Sequence, residues 1–257
     1  IMARTSFQKI KLLKKKNIGI VAITAYDASF ARYFDELGFD IILIGDSLGE
    51  VIKGQKNTHN VSLENMIYHS QSVRRAVKNS YLISDLPRES SLNKSTAYKH
   101  AKKIISECKV NMIKIECNKN NIDVVEHLVK NKIPICCHLG LTPQLISQKN
   151  SFRKYGKSPK EFSSIIKIAQ TIQEIGVKMI LIECVTDLLA KELRKIINVP
   201  IIGIGSGKSC DGQILVSYDI LGISYNSIPK IVEKKYFKIK DFESRVKKYI
   251  YNTKNFL

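Results

Sequence analysis

The 257-residue sequence predicts an α/β protein folded as a (β/α)8 (TIM) barrel, and three observations support this fold class. Short apolar runs rich in β-branched residues alternate with amphipathic helical stretches along the chain, the pattern of a parallel sheet covered by helices. About eight such units fit in a chain of this length, which is usual for the barrel. Four of the runs end on an acidic residue, at the position where parallel α/β enzymes place their reactive groups.

The strands are predicted from continuous apolar runs, which indicate burial on both faces of a sheet. Because the last of these runs is poorly marked, an open doubly wound sheet is the alternative to a closed barrel. In chain order the predicted strands cover 19–24, 40–45, 80–85, 111–116, 133–138, 177–183 and 199–204, with a weaker eighth candidate at 216–223.

The helices are predicted from apolar residues at three- and four-residue spacing. One helix carries Phe30 and Phe34 on the same face and ends at Gly38. The clearest covers 161–175, where isoleucines recur along one face. Residues 229–257 are predicted as a lysine-rich helical segment packed outside the barrel. The other helices are predicted near 6–16, 63–76, 94–107, 122–131 and 187–197.

No linker or low-complexity segment interrupts the pattern, so residues 1–257 are predicted to form one barrel domain with an extra N-terminal helix. The chain is strongly basic, with 42 Lys and Arg against 23 Asp and Glu and a net charge of +19. Such a charge suggests nucleic acid as a partner, yet the lysines are scattered and no recognition motif accompanies them. We therefore attribute the positive charge to drift in amino-acid composition and predict no nucleic-acid partner. A minor role of the charge is to attract anionic substrates.

No apolar stretch approaches the roughly 20 residues needed to cross a bilayer, and the N-terminus lacks the apolar core of a signal peptide. A cytoplasmic protein without membrane contact is therefore expected. The six cysteines include no Cys-x-x-Cys pair, which favours buried free thiols in a reducing compartment. A zinc site formed by Cys117, Cys184 and His138 is the less favoured alternative.

Four acids at strand ends form the strongest candidate site: Asp46, Asp85, Glu116 and Glu183. Converging carboxylates without cysteine or histidine spacing favour a hard ion such as Mg²⁺. Lys114 lies two residues before Glu116, so both side chains point to one face of the strand. Its ammonium group is predicted to serve as a counter-ion or to stabilise an enolate or a substrate carboxylate.

Two further features of the strand ends have local interpretations. Asp27 precedes the helix that starts at Ala28, and by itself it is predicted to be a helix cap. The glycine-rich turn at 203–207 could cradle a phosphate, as barrel loops after the seventh strand often do, or allow close backbone packing. The sequence leaves these two alternatives for the turn open.

Several motifs in order over roughly 17–225 resemble the ketopantoate hydroxymethyltransferase (3-methyl-2-oxobutanoate hydroxymethyltransferase) family. Motifs in register are more specific than any one alone. They are Ile23-Thr24-Ala25-Tyr26-Asp27, Gly45-Asp46-Ser47-Leu48-Gly49, Ser84-Asp85-Leu86-Pro87, Met112-Ile113-Lys114-Ile115-Glu116, His138-Leu139-Gly140-Leu141-Thr142-Pro143-Gln144, Leu181-Ile182-Glu183-Cys184, Ile202-Gly203-Ile204-Gly205-Ser206-Gly207 and Asp211-Gly212-Gln213-Ile214-Leu215, with Tyr68-His69 and Val73-Arg74-Arg75 between the second and third.

The resemblance implies a barrel of the phosphoenolpyruvate/pyruvate type, assembled as a homodecamer. It implies transfer of a hydroxymethyl group from 5,10-methylenetetrahydrofolate to 3-methyl-2-oxobutanoate, which gives 2-dehydropantoate for pantothenate biosynthesis through a Mg-stabilised enolate. The implied roles are Mg²⁺ binding by Asp46, Asp85 and Glu116, substrate binding by Asp46, Ser47, Asp85, Lys114 and His138, and proton abstraction by Glu183.

The sequence departs from the family pattern in loops predicted to shape the mouth of the site. Arg88-Glu89-Ser90-Ser91 replace apolar and small residues, His59-Asn60 replace Leu-Pro, and the loop 149–157 lacks a Gly-Gly pair. Two other functions are weighed against the implied one. A different Mg-dependent lyase acting on an α-keto acid shares the metal site, and a non-catalytic basic binding protein would be a repurposed relative.

Overall fold

The centre of the protein is a closed barrel of eight parallel strands in sequence order, in which the last strand pairs with the first. The computed structural model describes residues 5–145 and 153–256. The predicted barrel is confirmed, and the open-sheet alternative is wrong. The strands are β1 Ile20–Thr24, β2 Ile41–Ile44, β3 Tyr81–Asp85, β4 Met112–Glu116, β5 Ile135–Gly140, β6 Met179–Glu183, β7 Ile201–Ile204 and β8 Gly212–Leu215.

The helices surround the barrel and agree closely with the predicted ranges. In the described part of the chain, no helix is long and apolar enough to cross a membrane. The helices are α1 Phe7–Lys15, α2 Ala28–Glu36, α3 Leu48–Val51, α4 Leu63–Ala76, α5 Lys94–Cys108, α6 Ile122–Lys130, α7 Pro159–Ile175, α8 Asp187–Ile196, α9 Ser217–Leu221 and α10 Phe242–Lys254, with 3-10 turns at Arg88–Ser91 and Lys234–Lys238.

The eighth strand lies earlier than predicted. The range 216–223 was wrong, because its apolar residues form helix α9, which Gly222 ends with a φ of 77°. The strand that closes the barrel is β8, in which Gly212 stands opposite Ile20 of β1. A Cβ atom at Gly212 would lie 2.3 Å from the carbonyl oxygen of Ile20. Closure at this seam therefore requires a glycine, a residue that weakens the strand signal in a sequence.

The N-terminal helix α1 covers the end of the barrel where the strands begin. Ile10 is fully buried and belongs to the same apolar cluster as the interior side chains Ile20 and Met179. The Nζ atom of Lys14 donates to the carbonyl oxygens of Ile197 and Val199, just before β7, at 2.9 and 2.8 Å. Helix α1 thus closes the end of the barrel opposite the predicted site.

The C-terminal segment is only partly the helix that was predicted over 229–257. Residues 229–233 lie outside any helix, and the main helix is α10, which contacts β1, β8 and α9. The guanidinium group of Arg245 is 8% exposed and donates to the carbonyl oxygens of Ile220 and Leu221 at 3.2 and 2.8 Å. Helix α10 therefore covers the seam between the last and first strands, as an eighth barrel helix would.

We predict that Ile10→Ala destabilises the protein by about 2–5 kcal/mol, because it removes a fully buried side chain from the closed end of the barrel. The measurement is urea unfolding at equilibrium. Leu12→Ala is the matched control, since Leu12 lies on the same helix and is 47% exposed. Equal losses of stability in the two variants would contradict the assignment of Ile10 to the apolar core at the closed end of the barrel.

Candidate active site

A cavity of about 370 Å³ opens at the C-terminal ends of the strands. Its floor is set by the barrel register, which places Asp85 beside Lys114 and Glu116 beside His138 on neighbouring strands. The structure therefore brings the sequence-predicted site residues to one place. All seven of them line this cavity: Asp46, Ser47, Asp85, Lys114, Glu116, His138 and Glu183.

An ion pair between Lys114 and Asp85 lies at the floor of the cavity. The Nζ atom of Lys114 is 2.8 Å from Oδ1 of Asp85, and both side chains are almost fully buried. The backbone N–H of Asp46 donates to the other carboxylate oxygen of Asp85 at 2.9 Å. Burial raises the pKa of Asp85 to about 7, with the charge of Asp46 adding to the rise and Lys114 opposing it. Burial lowers the pKa of Lys114, but its acidic neighbours outweigh this and raise it overall.

Glu116 is held by backbone groups from the loop that follows β5. Its Oε2 atom accepts hydrogen bonds from the backbone N–H groups of Gln144 and Leu145 at 2.9 and 3.2 Å. The side chain is 2% exposed. Burial raises the pKa of Glu116 well above its usual value, and the charge of Asp46 raises it further. Burial thus disfavours a negative charge on the carboxyl group of Glu116.

Gln144 connects two of the predicted metal ligands, a role that sequence reasoning missed. Its Nε2 atom donates to Oδ2 of Asp46 at 2.7 Å, while its backbone N–H donates to Glu116. The Nε atom of Arg88 donates to the carbonyl oxygen of Gln144 at 2.9 Å. The position of Gln144 at the end of the motif that begins with His138 was the only signal in the sequence.

His138 lies between Glu183 and Glu116. Its Nε2 atom is 3.2 Å from Oε2 of Glu183, and its Nδ1 atom is 3.7 Å from Oε1 of Glu116. Burial lowers the pKa of His138 well below its usual value, and the nearby charge of Lys114 lowers it further. The imidazole is therefore neutral at physiological pH.

Glu183 ends β6 and projects into the cavity. Burial raises its pKa to about 8, and the charge of Asp46 contributes while Lys114 opposes the rise. The backbone here is tightly packed, since a Cβ atom at Gly140 would lie 2.2 Å from the carbonyl oxygen of Glu183. That carbonyl accepts from the backbone N–H of Leu141 at 2.9 Å. Glu183 is thus a buried carboxyl group on a rigid backbone.

Ser47 is oriented by an aromatic side chain from the first strand–helix loop. Its Oγ atom shares a hydrogen bond of 2.8 Å with the hydroxyl group of Tyr26. Asp27, the next residue, caps α2 by accepting from the backbone N–H groups of Ser29 and Phe30. The predicted helix cap is confirmed.

The glycine-rich turn at 203–207 is closely packed. A Cβ atom at Gly207 would lie 1.6 Å from Oδ1 of Asp187, and one at Gly205 would lie 2.6 Å from Ile231. Close backbone packing, one of the two functions considered for this turn, therefore explains its glycines. Of the turn residues, Ile204 lines the cavity.

Within residues 5–145 and 153–256, no group of three or more His, Cys, Asp or Glu side chains is arranged to hold a metal ion. The zinc alternative from Cys117, Cys184 and His138 therefore finds no support in that part of the chain. The donor chemistry nevertheless fits a hard divalent cation. Asp46, Asp85 and Glu116 line one cavity, where burial and, in addition, repulsion by the charge of Asp46 raise the pKa of the other two. A bound cation would relieve this repulsion.

Two acids in the cavity were missed by sequence reasoning. Glu50 lies on α3, one helical turn after Asp46, and Asp219 lies on α9. Glu50 shows no strand-end signal, and Asp219 fell in the range wrongly predicted as the eighth strand. The predictions for 149–157 lie in part outside the described residues.

The fold and this cavity define a class of protein, a (β/α)8-barrel enzyme with buried acids and a lysine at the C-terminal ends of its strands. A sequence description of one such family, ketopantoate hydroxymethyltransferase, matches residues 4–256. The chain belongs to this family.

Curated relatives agree with this assignment. The chain is 41% identical over 254 residues to a 3-methyl-2-oxobutanoate hydroxymethyltransferase from Buchnera aphidicola subsp. Schizaphis graminum, covering 99% of this chain and 96% of the relative. It is 40% identical over 245 residues to the enzyme of that name from Ruthia magnifica subsp. Calyptogena magnifica, covering 95% of this chain and 94% of the relative.

Solved structures resemble the chain in fold. A phosphoenolpyruvate phosphomutase from Streptomyces platensis subsp. rosaceus superposes with a TM-score of 0.62 at 9% identity, covering 83% of this chain and 81% of that one. A phosphonopyruvate hydrolase superposes with a TM-score of 0.61 at 10% identity, covering 82% and 80%. At such identities the likeness shows the fold alone, which agrees with the predicted (β/α)8 barrel.

We predict that Glu183→Gln makes the metal-free protein more stable relative to wild type as the pH rises. Folding raises the pKa of Glu183 from its usual 4.5 to about 8. The contribution of protonated Glu183 to the free energy of unfolding is therefore fully present below pH 4.5. It is lost as the pH rises through 8, because the unfolded chain releases this proton before the folded protein does. The slope is at most about 1.4 kcal/mol per pH unit, and a total gain of about 1–3 kcal/mol is expected.

The measurement is urea unfolding between pH 5 and 8.5 with a chelator present. Glu174→Gln, at an exposed glutamate of α7, is the control and should show no such trend. A stability difference between Glu183→Gln and wild type that does not change with pH would contradict the raised pKa.

Proposed function

We propose that this chain transfers a hydroxymethyl group from 5,10-methylenetetrahydrofolate to 3-methyl-2-oxobutanoate and forms 2-dehydropantoate, with Glu183 as the base. In the balanced reaction the donor supplies the methylene carbon and water supplies the hydroxyl group. Tetrahydrofolate leaves, and the C3 proton of the keto acid and the other proton of water replace its two bonds to that carbon. The single observation that carries this proposal is the placement of a buried carboxyl group, Glu183, in the same cavity as the Lys114–Asp85 ion pair.

Glu183 suits proton abstraction next to a carbonyl group. A carboxylate with a pKa near 8 is a stronger base than an exposed one, whose pKa is near 4.5. His138 is neutral and its Nε2 atom lies 3.2 Å from Glu183, so it adds no charge beside the carboxyl group. The electrons of the broken C–H bond move onto the keto oxygen, and the ammonium group of Lys114 stabilises the resulting negative charge.

Asp46, Asp85 and Glu116 are the side chains that would hold a Mg²⁺ ion. When bound, the ion would act as a Lewis acid toward the keto and carboxylate oxygens of the substrate. Gln144 orients two of these carboxylates through its side chain and its backbone N–H. Lys114 and Ser47 are the groups that bind the keto acid, with the ammonium group facing the substrate's negative charge.

We predict that Glu183→Gln binds 3-methyl-2-oxobutanoate but no longer exchanges its C3 hydrogen for deuterium. An amide has nearly the shape of the carboxyl group and cannot accept this proton. The measurement is proton NMR of the keto acid in D2O with Mg²⁺ and without the folate donor. We expect at least a hundredfold slower exchange, with Glu174→Gln as the control. Exchange at the wild-type rate would remove Glu183 from the role of base.

We predict that Glu116→Gln weakens Mg²⁺ binding at least tenfold, since it removes one of the negative charges that face the ion. The measurement is calorimetric titration of the chelator-treated protein with Mg²⁺, so the readout does not depend on turnover. The Gln side chain can still accept from Gln144 and Leu145, which keeps the loop in place. Unchanged affinity would show that Glu116 is not a ligand.

We also propose that the chain assembles as a homo-oligomer, the decamer that its family resemblance implies, in the cytoplasm. Among residues 5–145 and 153–256, nine large apolar side chains are at least 39% exposed, including Tyr68 and Leu92, and they support an assembly. The six cysteines are all buried free thiols, which suits a reducing compartment. Light scattering at micromolar concentration tests the assembly, and a monomer would contradict it.

A further inference from the structure

Two acids that line the cavity have no role in the reaction steps above. Glu50 and Asp219 line the cavity together with Asp46 and Glu183. Burial raises the pKa of Glu50 to about 7, and the charges of Asp46, Asp219 and Glu183 raise it further. These acids are therefore electrostatically coupled across the cavity. Glu50 and Asp219 would not strengthen the binding of an anionic keto acid beside Lys114, because acidic side chains do not attract an anion.

Both carboxyl groups have oxygen atoms to offer to a ligand. Among residues 5–145 and 153–256, no side chain forms a hydrogen bond or ion pair with the carboxyl group of Glu50. Asp219 is 6% exposed, and its Oδ1 atom accepts from the hydroxyl group of Ser224. Its other oxygen accepts no hydrogen bond from the described residues. Ser224 thus orients Asp219 and leaves one oxygen available.

A third polar group that lines the cavity, the hydroxyl group of Thr58, also has an open hydrogen-bond position. Thr58 lines the cavity and is 3% exposed, yet its Oγ1 atom has no hydrogen-bond partner in the described part of the chain. A buried hydroxyl group without a partner is unfavourable, and a bound ligand would satisfy it. Thr58 is an observation independent of the two acids, and it also indicates a ligand.

Apolar side chains also line the cavity and suit contact with the face of a flat ring. Val216, Pro229 and Ile231 line it near Asp219 in the sequence. The volume of about 370 Å³ falls within the range of pockets for drug-sized ligands. A cavity of this size has room for a planar ring system beside the small keto acid.

We propose that Glu50 and Asp219 bind the pterin ring of the one-carbon donor by accepting hydrogen bonds from its adjacent N–H groups. The inference rests on the proposed function, because it places the folate donor of that reaction beside Glu50 and Asp219. The amino group and the neighbouring ring N–H of a pterin form an edge of adjacent donors, which a carboxylate matches with its two oxygens. Thr58 supplies a further hydroxyl group, and the apolar side chains contact the ring face.

Charge decides which end of the donor lies here. The glutamate tail of a folate is anionic, so the two acids would repel it. Lys56 is exposed and also lines the cavity, so its ammonium group is available to the anionic tail. The pterin end is neutral and rich in donors, which places it inside and the tail outside.

The test compares Glu50→Gln and Asp219→Asn with wild type in two reactions. Hydrogen exchange at C3 of the keto acid requires no folate and should stay within twofold of wild type. The KM for 5,10-methylenetetrahydrofolate should rise at least tenfold in each variant. Glu174→Gln and Asp123→Asn, at acids on the outer helices α7 and α6, are the matched controls and should match wild type in both reactions.

Calorimetric titration with fragments of the donor distinguishes which of its two ends binds beside Glu50 and Asp219. Tetrahydropterin and tetrahydrofolate should each bind at least tenfold more weakly to the variants, whereas p-aminobenzoylglutamate should bind as it does to wild type. A KM and an affinity within twofold of wild type would overturn the inference, as would a parallel loss of hydrogen exchange. Wild-type protein that transfers no hydroxymethyl group contradicts the proposed function instead, and the affinity for tetrahydropterin still tests the subsite.

Discussion

The ion pair between Lys114 and Asp85 is the interaction on which the rest of the cavity depends. Four largely buried acids converge at the C-terminal ends of the strands, where burial and, after it, repulsion by the charge of Asp46 raise the pKa values of Asp85, Glu116 and Glu183. Lys114 offsets part of that repulsion from a nearly fully buried position 2.8 Å from Asp85. Removing one partner of a buried ion pair leaves an uncompensated charge, which costs about 3–5 kcal/mol. The same ammonium group is placed to stabilise negative charge on a substrate.

The loops above this ion pair support the site through backbone groups. The loop after β5 reaches Asp46 and Glu116 through Gln144. Arg88 and His59 stand where the sequence departs from the family pattern, yet both hold this loop. Arg88 donates to the carbonyl oxygen of Gln144, and His59 shares a hydrogen bond of 2.9 Å with that of Pro143. The altered residues thus form part of the support for the carboxylates.

Much of the fold and the centre of the site were predictable from local patterns. Helix α4 was predicted at its observed bounds from the spacing of its apolar residues, and Ser62 caps it in the structure. The acids at the ends of β2, β3, β4 and β6 were recognised because a strand end is a local feature. Gln144 was not, since its partner Asp46 is 98 residues away in the chain. The closing strand was misplaced because Gly212 and Gln213 lack the β-branched pattern that the other strands show.

The sequence by itself determined the fold class, the order of the elements and the set of acids and lysine that carry the chemistry, because periodicity and strand-end position are local properties. Only the tertiary structure decided the partners and protonation of those groups. Closure of the barrel brings Asp46, Glu116 and Glu183 into one buried cavity with Glu50 and Asp219. Burial and mutual repulsion act through space, so pKa values and open hydrogen-bond positions depend on distances that the order of residues does not contain.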